Sequence, residues 1–122
     1  MLFLDANIIL EILFKREKYE LCLLECQKHE SICISPTSIH IIYYYAEKAK
    51  LDLAEVEKML GDIAILPFTQ SEFKLALSLF KNKDMKDALQ VATAINSEVE
   101  AIFTLDLAMI NKYQHQMNFI TA

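Results

Sequence analysis

The chain has 122 residues with 12 basic and 17 acidic side chains, a formal net charge of −5. This size suits a single domain over residues 1–122. The charge excludes general counterion-release binding to nucleic acid, leaving a local basic patch or bridging metal ions as the only routes to it. Apolar residues make up 54% and charged residues 24%, enough for a real core, which excludes disorder. No uncharged apolar run reaches the roughly 18 residues of a membrane span. The N-terminus carries Asp5 and Glu11 and lacks a signal peptide's basic start. A soluble cytoplasmic protein is expected.

Residues 1–4 form a short apolar run ending at Asp5 and predict a buried strand. A helix is expected over 7–14, with Ile8, Ile9, Ile12 and Leu13 at helical spacing. A second helix is expected over 17–28, its stripe being Leu21, Leu24 and the cysteines nearby. Cys22, Cys26 and Cys33 make an odd set with no Cys-x-x-Cys pair, and read as small buried side chains in a reducing cytosol. Residues 31–34 predict a second strand.

Ser35-Pro36 marks a helix start, with Ser35 as cap and Pro36 at the first helical position, and the helix runs to about residue 50. Asp52 caps the next helix with Glu55 as its capping-box partner, and Gly61 stops it. Residues 63–66 predict a third strand, closed by Pro67. Thr69 and Glu72 form another capping box before a helix over 70–81. Asp84 starts a helix with Ala88, Val91, Ala92 and Ile95 on one face. Residues 101–104 predict a fourth strand ending near Asp106, then a short helix, then a weak fifth strand over 117–121. The order β-α-α-β-α-α-β-α-α-β-α-β implies an α/β fold with a parallel sheet covered on both faces. Ligands of such folds bind beyond the carboxyl ends of the strands.

Two acids, Asp5 and Asp106, sit just past strand ends, and Asp87 sits in the first turn of its helix, where the dipole favours a carboxylate. If strands one and four are neighbours, their ends lie roughly 5 Å apart. Three carboxylates converging there would repel, and a bound Mg²⁺ or Mn²⁺ is the simplest relief. Taken singly, Asp87, Asp84 and Asp106 read as helix-start acids. Asp5 does not, because a carboxylate ending a buried strand is costly unless paired or metal-bound.

The segment Leu4-Asp5-Ala6-Asn7-Ile8-Ile9-Leu10 resembles the first motif of the PIN-domain family, an apolar strand followed by Asp-x-Asn. The stretch from Asp84 through Asp87 to Ala94 resembles its third acidic motif. Ala101-Ile102-Phe103-Thr104-Leu105-Asp106 resembles its fourth, a strand ending in Thr-x-Asp. The three motifs stand in the family's order, and the resemblance spans essentially the whole chain. It implies a three-layer α/β/α fold with a central parallel sheet of four to five strands. It also implies a metal-dependent ribonuclease of the VapC-like kind, the toxin of a toxin–antitoxin pair. Asp5, Asp87 and Asp106 would bind Mg²⁺ or Mn²⁺, with Asn7 and Thr104 orienting the site through hydrogen bonds. The implied reaction is hydrolysis of an RNA phosphodiester, and the implied partner is a small antitoxin. The resemblance and the large apolar fraction point to a homodimer.

The sequence departs from the family at one place. A Glu is usual early in the helix after strand two, where this chain has Ile41 with His40 beside it. Glu47 lies about two turns, roughly 10 Å, further on. His40 reads first as a partly buried histidine bonded to backbone, with metal ligation, proton shuttling or phosphate contact as alternatives. Tyr43, Tyr44 and Tyr45 cover more than half a helix circumference and could stack bases, with core or dimer packing expected for at least two of them. Lys81, Lys83 and Lys86 could contact RNA phosphates or form a solvated helix edge. The missing Glu motivates a competing reading, a PIN fold that binds RNA or protein without cutting. A phosphoacceptor domain is a third reading, set back by Asn7 in place of a second acid.

Overall fold

The computed structural model describes residues 1–80 and 84–122. Among them the elements follow the expected order: β1 (Leu2–Leu4), α1 (Ala6–Leu13), α2 (Tyr19–Gln27), β2 (Ile32–Ile34), α3 (Pro36–Lys48), α4 (Leu53–Leu60), β3 (Ala64–Ile65), α5 (Gln70–Leu79), α6 (Met85–Asn96), β4 (Ala101–Phe103), α7 (Leu107–Tyr113) and β5 (Phe119–Ile120). The sheet order is β3-β2-β1-β4-β5, with every pairing parallel. The chain walks outward from β1 to β3, then restarts on the other side at β4. The switch point therefore falls between β1 and β4, where the two strand-end acids lie.

Strand alternation builds the three layers. Leu2, Leu4, Ile34 and Phe103 face one way, onto Ile8 and Ile9 of α1, Ile42 of α3 and Val56 of α4. Phe3, Cys33 and Ile102 face the other way, onto Val91 and Ala94 of α6 and Met109 and Tyr113 of α7. An alanine seam of Ala76, Ala88 and Ala92 holds α5 against α6. The short apolar runs, buried on both faces, are what a covered parallel sheet requires.

With one glycine in the chain, several helices end on other residues. Lys15, Lys50 and Glu98 lie just past α1, α3 and α6 with φ of 48°, 57° and 53°. Each closes a Schellman motif. After α1, Arg16 N–H donates to the Glu11 carbonyl at 3.0 Å and Lys15 N–H to that of Ile12 at 3.2 Å. Leu51 to Ala46 (2.9 Å) and Val99 to Ala94 (3.4 Å) repeat the outer bond after α3 and α6. Left-handed backbone costs a residue with a Cβ roughly 1–2 kcal/mol. Lys50→Gly is accordingly expected to stabilise the protein by about 0.5–1 kcal/mol net of glycine's entropy, read as a higher urea midpoint. A lower midpoint would mean the lysine side chain contributes more than its backbone strain. Gly61, by contrast, ends α4 with a right-handed φ of −61°, so that stop does not depend on glycine's freedom.

Two local expectations are corrected. Leu21 and Leu24 are 53% and 57% exposed while Cys22 is fully buried, so α2 turns its cysteine side inward rather than a leucine stripe. Its apolar residues lie all round the helix, and the seat of Cys22 and Cys26 against the α1 core decides the face. Asp52 caps α4 through Ala54 N–H at 3.0 Å rather than in a box with Glu55. The Thr69–Glu72 box does form on α5. Hydrogen bonds from Thr69, then Asn96, hold Glu72 down at about 2. The depressed value means this contribution is present above the ordinary carboxylate range and is lost only as pH falls toward about 2. None of the described helices is long and apolar enough to cross a membrane.

Candidate functional site

Asp5 ends β1 and caps α1. Its backbone N–H donates to the Phe103 carbonyl at 2.9 Å, tying the end of β1 to β4. The side chain is 4% exposed and is held by donors on both oxygens. Ala6 N–H (2.8 Å) and Gln90 Nε2 (3.3 Å) reach Oδ1. The Thr104 hydroxyl (2.7 Å) and Asn7 Nδ2 (3.3 Å) reach Oδ2. Thr104 Oγ1 also accepts from Asn7 Nδ2 at 3.1 Å and from Asp106 N–H at 3.0 Å, and Asn7 Oδ1 accepts from Leu105 N–H at 3.2 Å. Asn7 and Thr104 thus clasp two strand ends that lie nearly a whole chain apart in sequence.

Gln90 was not legible as a site residue. It is fully buried on α6. Its Nε2 donates to Ser38 Oγ at 2.7 Å as well as to Asp5, and its Oε1 accepts from the Ser35 hydroxyl. Ser35 also caps α3, accepting from Ser38 N–H at 3.1 Å. One amide therefore connects the start of α3, the inside of α6 and the Asp5 carboxylate. The available signal was an amide three residues after Asp87, one turn further along the same side of the helix.

Asp87 is the third residue of α6 and is 3% exposed. Burial pushes its carboxyl up to about 6, Lys86 opposes this, and Asp106, Asp5 and Asp84 add to it. The three predicted aspartates are thus close enough for Asp87 to feel the other two. Asp106 caps α7 through Met109 N–H at 3.1 Å. Among the described residues, no three His, Cys, Asp or Glu side chains are drawn into a ready ligating cluster. Asp5 is turned onto its four donors and Asp106 onto its helix. An oxygen-only donor set, with one carboxylate driven toward neutrality by burial and neighbouring charge, suits a hard divalent ion. Asp84 stands at the N-cap of α6 with φ 57° and makes no side-chain cap; its Oδ2 accepts from Lys112 Nζ at 2.8 Å.

A cleft of about 300 Å³ opens over Asp5, walled by Asn7, Arg16, Ile41, Tyr45 and Lys86. Ile41 does line it, as an uncharged wall residue. Glu47 is exposed and does not line that cleft. His40 is exposed rather than partly buried and lines an adjoining hollow with Tyr44 and Lys86. The solvent-facing turn of α3 carries it there, because Ile42 takes the core position. Tyr43 packs on the core, whereas Tyr44 and Tyr45 are exposed. Lys86 is beside the site; Lys81 and Lys83 lie outside the described residues.

Several solved structures of similar shape are distant in sequence. The toxin–antitoxin complex from Klebsiella pneumoniae superposes with a TM-score of 0.82 at 16% identity, covering 99% of this chain and 97% of that one. VapBC2 from Rickettsia felis, bound to a DNA fragment from its promoter, gives 0.76 at 18%, covering 100% and 99%. FitAcB from Neisseria gonorrhoeae gives 0.72 at 16%, covering 98% and 96%. At these identities the likeness is one of fold. No curated protein matches the sequence. The family model of the PIN domain matches residues 2–114, nearly the whole length, and the chain belongs to the PIN domain family.

Proposed function

We propose that the protein is a metal-dependent endoribonuclease, the VapC-like toxin of a toxin–antitoxin pair. The observation that supports this reading is that Asp5 and Asp106 follow β1 and β4, the strands at the switch point, and that the buried Asp87, pushed up to about 6, feels the charge of both. Those three would hold Mg²⁺ or Mn²⁺. The ion would supply a water of lowered pKa and stabilise charge on the phosphate. Thr104 and Asn7 fix the Asp5 carboxylate from one side and Gln90 from the other. Lys86 and Arg16 place positive charge at the cleft mouth, where a phosphate would approach. The occurrence of this fold in solved toxin–antitoxin complexes supports a small antitoxin as partner. Exposed Phe73 and Leu77 on α5 support a homodimer, which a monomeric mass in light scattering would exclude.

The test is cleavage of RNA by purified protein in Mg²⁺, Mn²⁺ or EDTA. Activity is expected only with metal, and Asp5→Asn should reduce it by at least about a hundredfold, since even residues behind a ligand are worth tenfold to a hundredfold. An Asp5→Asn protein as active as the parent would point to a contaminating nuclease. Ile41, which puts a neutral side chain where the family's Glu would face the cleft, favours a second reading: a PIN fold that binds RNA or protein without cutting. Metal-dependent turnover lost in Asp87→Asn would exclude it.

A further inference from the structure

Two buried polar groups on neighbouring helices are each short of what the other could supply. Tyr113, the last residue of α7, is fully buried. Among the described residues, its hydroxyl is the one buried side-chain nitrogen or oxygen with no hydrogen-bond partner. A buried phenol ordinarily finds an acceptor, and a donor left without one is costly. Asp87 is the converse case. Asp5 takes four donors and Asp106 takes Met109 N–H. No donor among the described residues reaches the Asp87 carboxylate, which only burial and neighbouring charges act upon.

The packing sets this donor beside the first turn of α6. Tyr113 belongs to one packed cluster with Val91 and Ala94, and Val91 lies one turn after Asp87 on the same side of α6. Lys112, the residue before Tyr113, donates from Nζ to Asp84 Oδ2 at 2.8 Å. The last turn of α7 is thereby tied to the start of α6, three residues from Asp87. Burial, then the charge of Asp87, push the Tyr113 phenol up, with Lys112 opposing. Tyr113 therefore keeps its proton and lies in the field of Asp87. In the structure the two groups stay unpaired. A carboxylate that ligates an ion is itself held by hydrogen bonds; Asp5 has that support from Thr104, Asn7 and Gln90, and Asp87 lacks it.

We propose that Tyr113 is a positioning residue for Asp87: its phenol donates to the Asp87 carboxylate in its ion-binding form, on the oxygen left over from ligation. Pairing them gives the buried hydroxyl its missing acceptor and fixes the orientation of the carboxylate. The inference rests on the metal-dependent reading of the site.

The experiment is calorimetric titration of the full chain with Mn²⁺ alone, on the parent and on Tyr113→Phe, with thermal melts of both in EDTA. Phenylalanine keeps the ring in the core and removes only the hydroxyl, so the variant is expected to fold. In EDTA it should melt about 2–5 °C above the parent, because a buried hydroxyl with no partner has been removed. Its Mn²⁺ affinity should nevertheless fall by about tenfold, as when a group behind a ligand is lost. Higher stability together with weaker ion binding is a combination that a packing role does not produce. A Tyr113→Phe protein that melts below the parent in EDTA overturns the proposal, since the hydroxyl then already has a partner without the ion. A parent that binds Mn²⁺ and loses it in Asp5→Asn, beside a Tyr113→Phe protein of unchanged affinity, sinks the role of Tyr113 alone. A parent that binds no Mn²⁺ sinks the metal-dependent reading, and the role of Tyr113 with it.

Discussion

Asp87→Asn is expected to abolish metal-dependent cleavage while making the metal-free protein more stable. A carboxylate that is 3% exposed, short of solvent and feeling the charge of Asp106 and Asp5, is disfavoured in its charged form. Its folded pKa of about 6 lies above the ordinary 3.8, so the folded state holds its proton to higher pH than the unfolded state does. The sign follows: Asp87 favours the fold least above pH 6, and stability falls as pH rises from about 4 to about 6. At about 1.4 kcal/mol per unit, and discounting for relaxation, the neutral amide recovers about 2 kcal/mol at pH 7. For a chain of this size that is a rise in melting temperature of roughly 5–8 °C. Melts in EDTA from pH 4 to 8 should show the parent losing stability through the window and Asp87→Asn nearly flat. A variant less stable than the parent in EDTA would mean the carboxylate makes bonds the fold depends on.

Gln90→Leu is expected to act in the opposite direction on stability. The change keeps the volume but removes the partner of Ser38 Oγ, of the Ser35 hydroxyl and of Asp5 Oδ1 together. Buried polar groups left without partners cost about 1–3 kcal/mol each, and here Ser35 and Ser38 keep a 3.4 Å contact with each other. A loss of about 2–4 kcal/mol is therefore expected, measured by urea unfolding. Asp5, held by Gln90 on one side only, should also lose part of its fixed orientation. Metal affinity by calorimetry should drop about tenfold, as when a group behind a ligand is removed. An unchanged affinity with the stability loss intact would confine Gln90 to packing α3 against α6. The two variants separate the demands on the site: Asp87 costs the fold stability that a bound ion would restore, and Gln90 contributes stability while fixing the Asp5 carboxylate.

Much of the fold was legible because its signals are local. The runs at residues 2–4, 32–34 and 101–103 are short and apolar without alternation, as strands covered on both faces are. Ser35-Pro36 and Thr69 with Glu72 mark helix starts through bonds spanning a single turn. Asp5-Ala6-Asn7 and Thr104-Leu105-Asp106 each place an acid within two residues of a polar side chain of the same hydrogen-bond network, so the motif is legible without the rest of the chain. What tertiary structure decided is what depends on neighbours distant in sequence. The pairing of β1 with β4 brings Thr104 to Asp5 across 99 positions. Only the docking of α6 beneath that pair gives the Gln90 amide three partners. The inward face of α2 follows from contact with α1, since its apolar residues point in every direction. The left-handed turn at Lys15, which delivers Arg16 to the cleft, has no glycine to announce it, because the Schellman bonds and the packing around them overcome the strain on a lysine. Local sequence sets which groups are present and how each helix begins. Their convergence is a free-energy minimum of the whole sheet, and no segment read alone contains it.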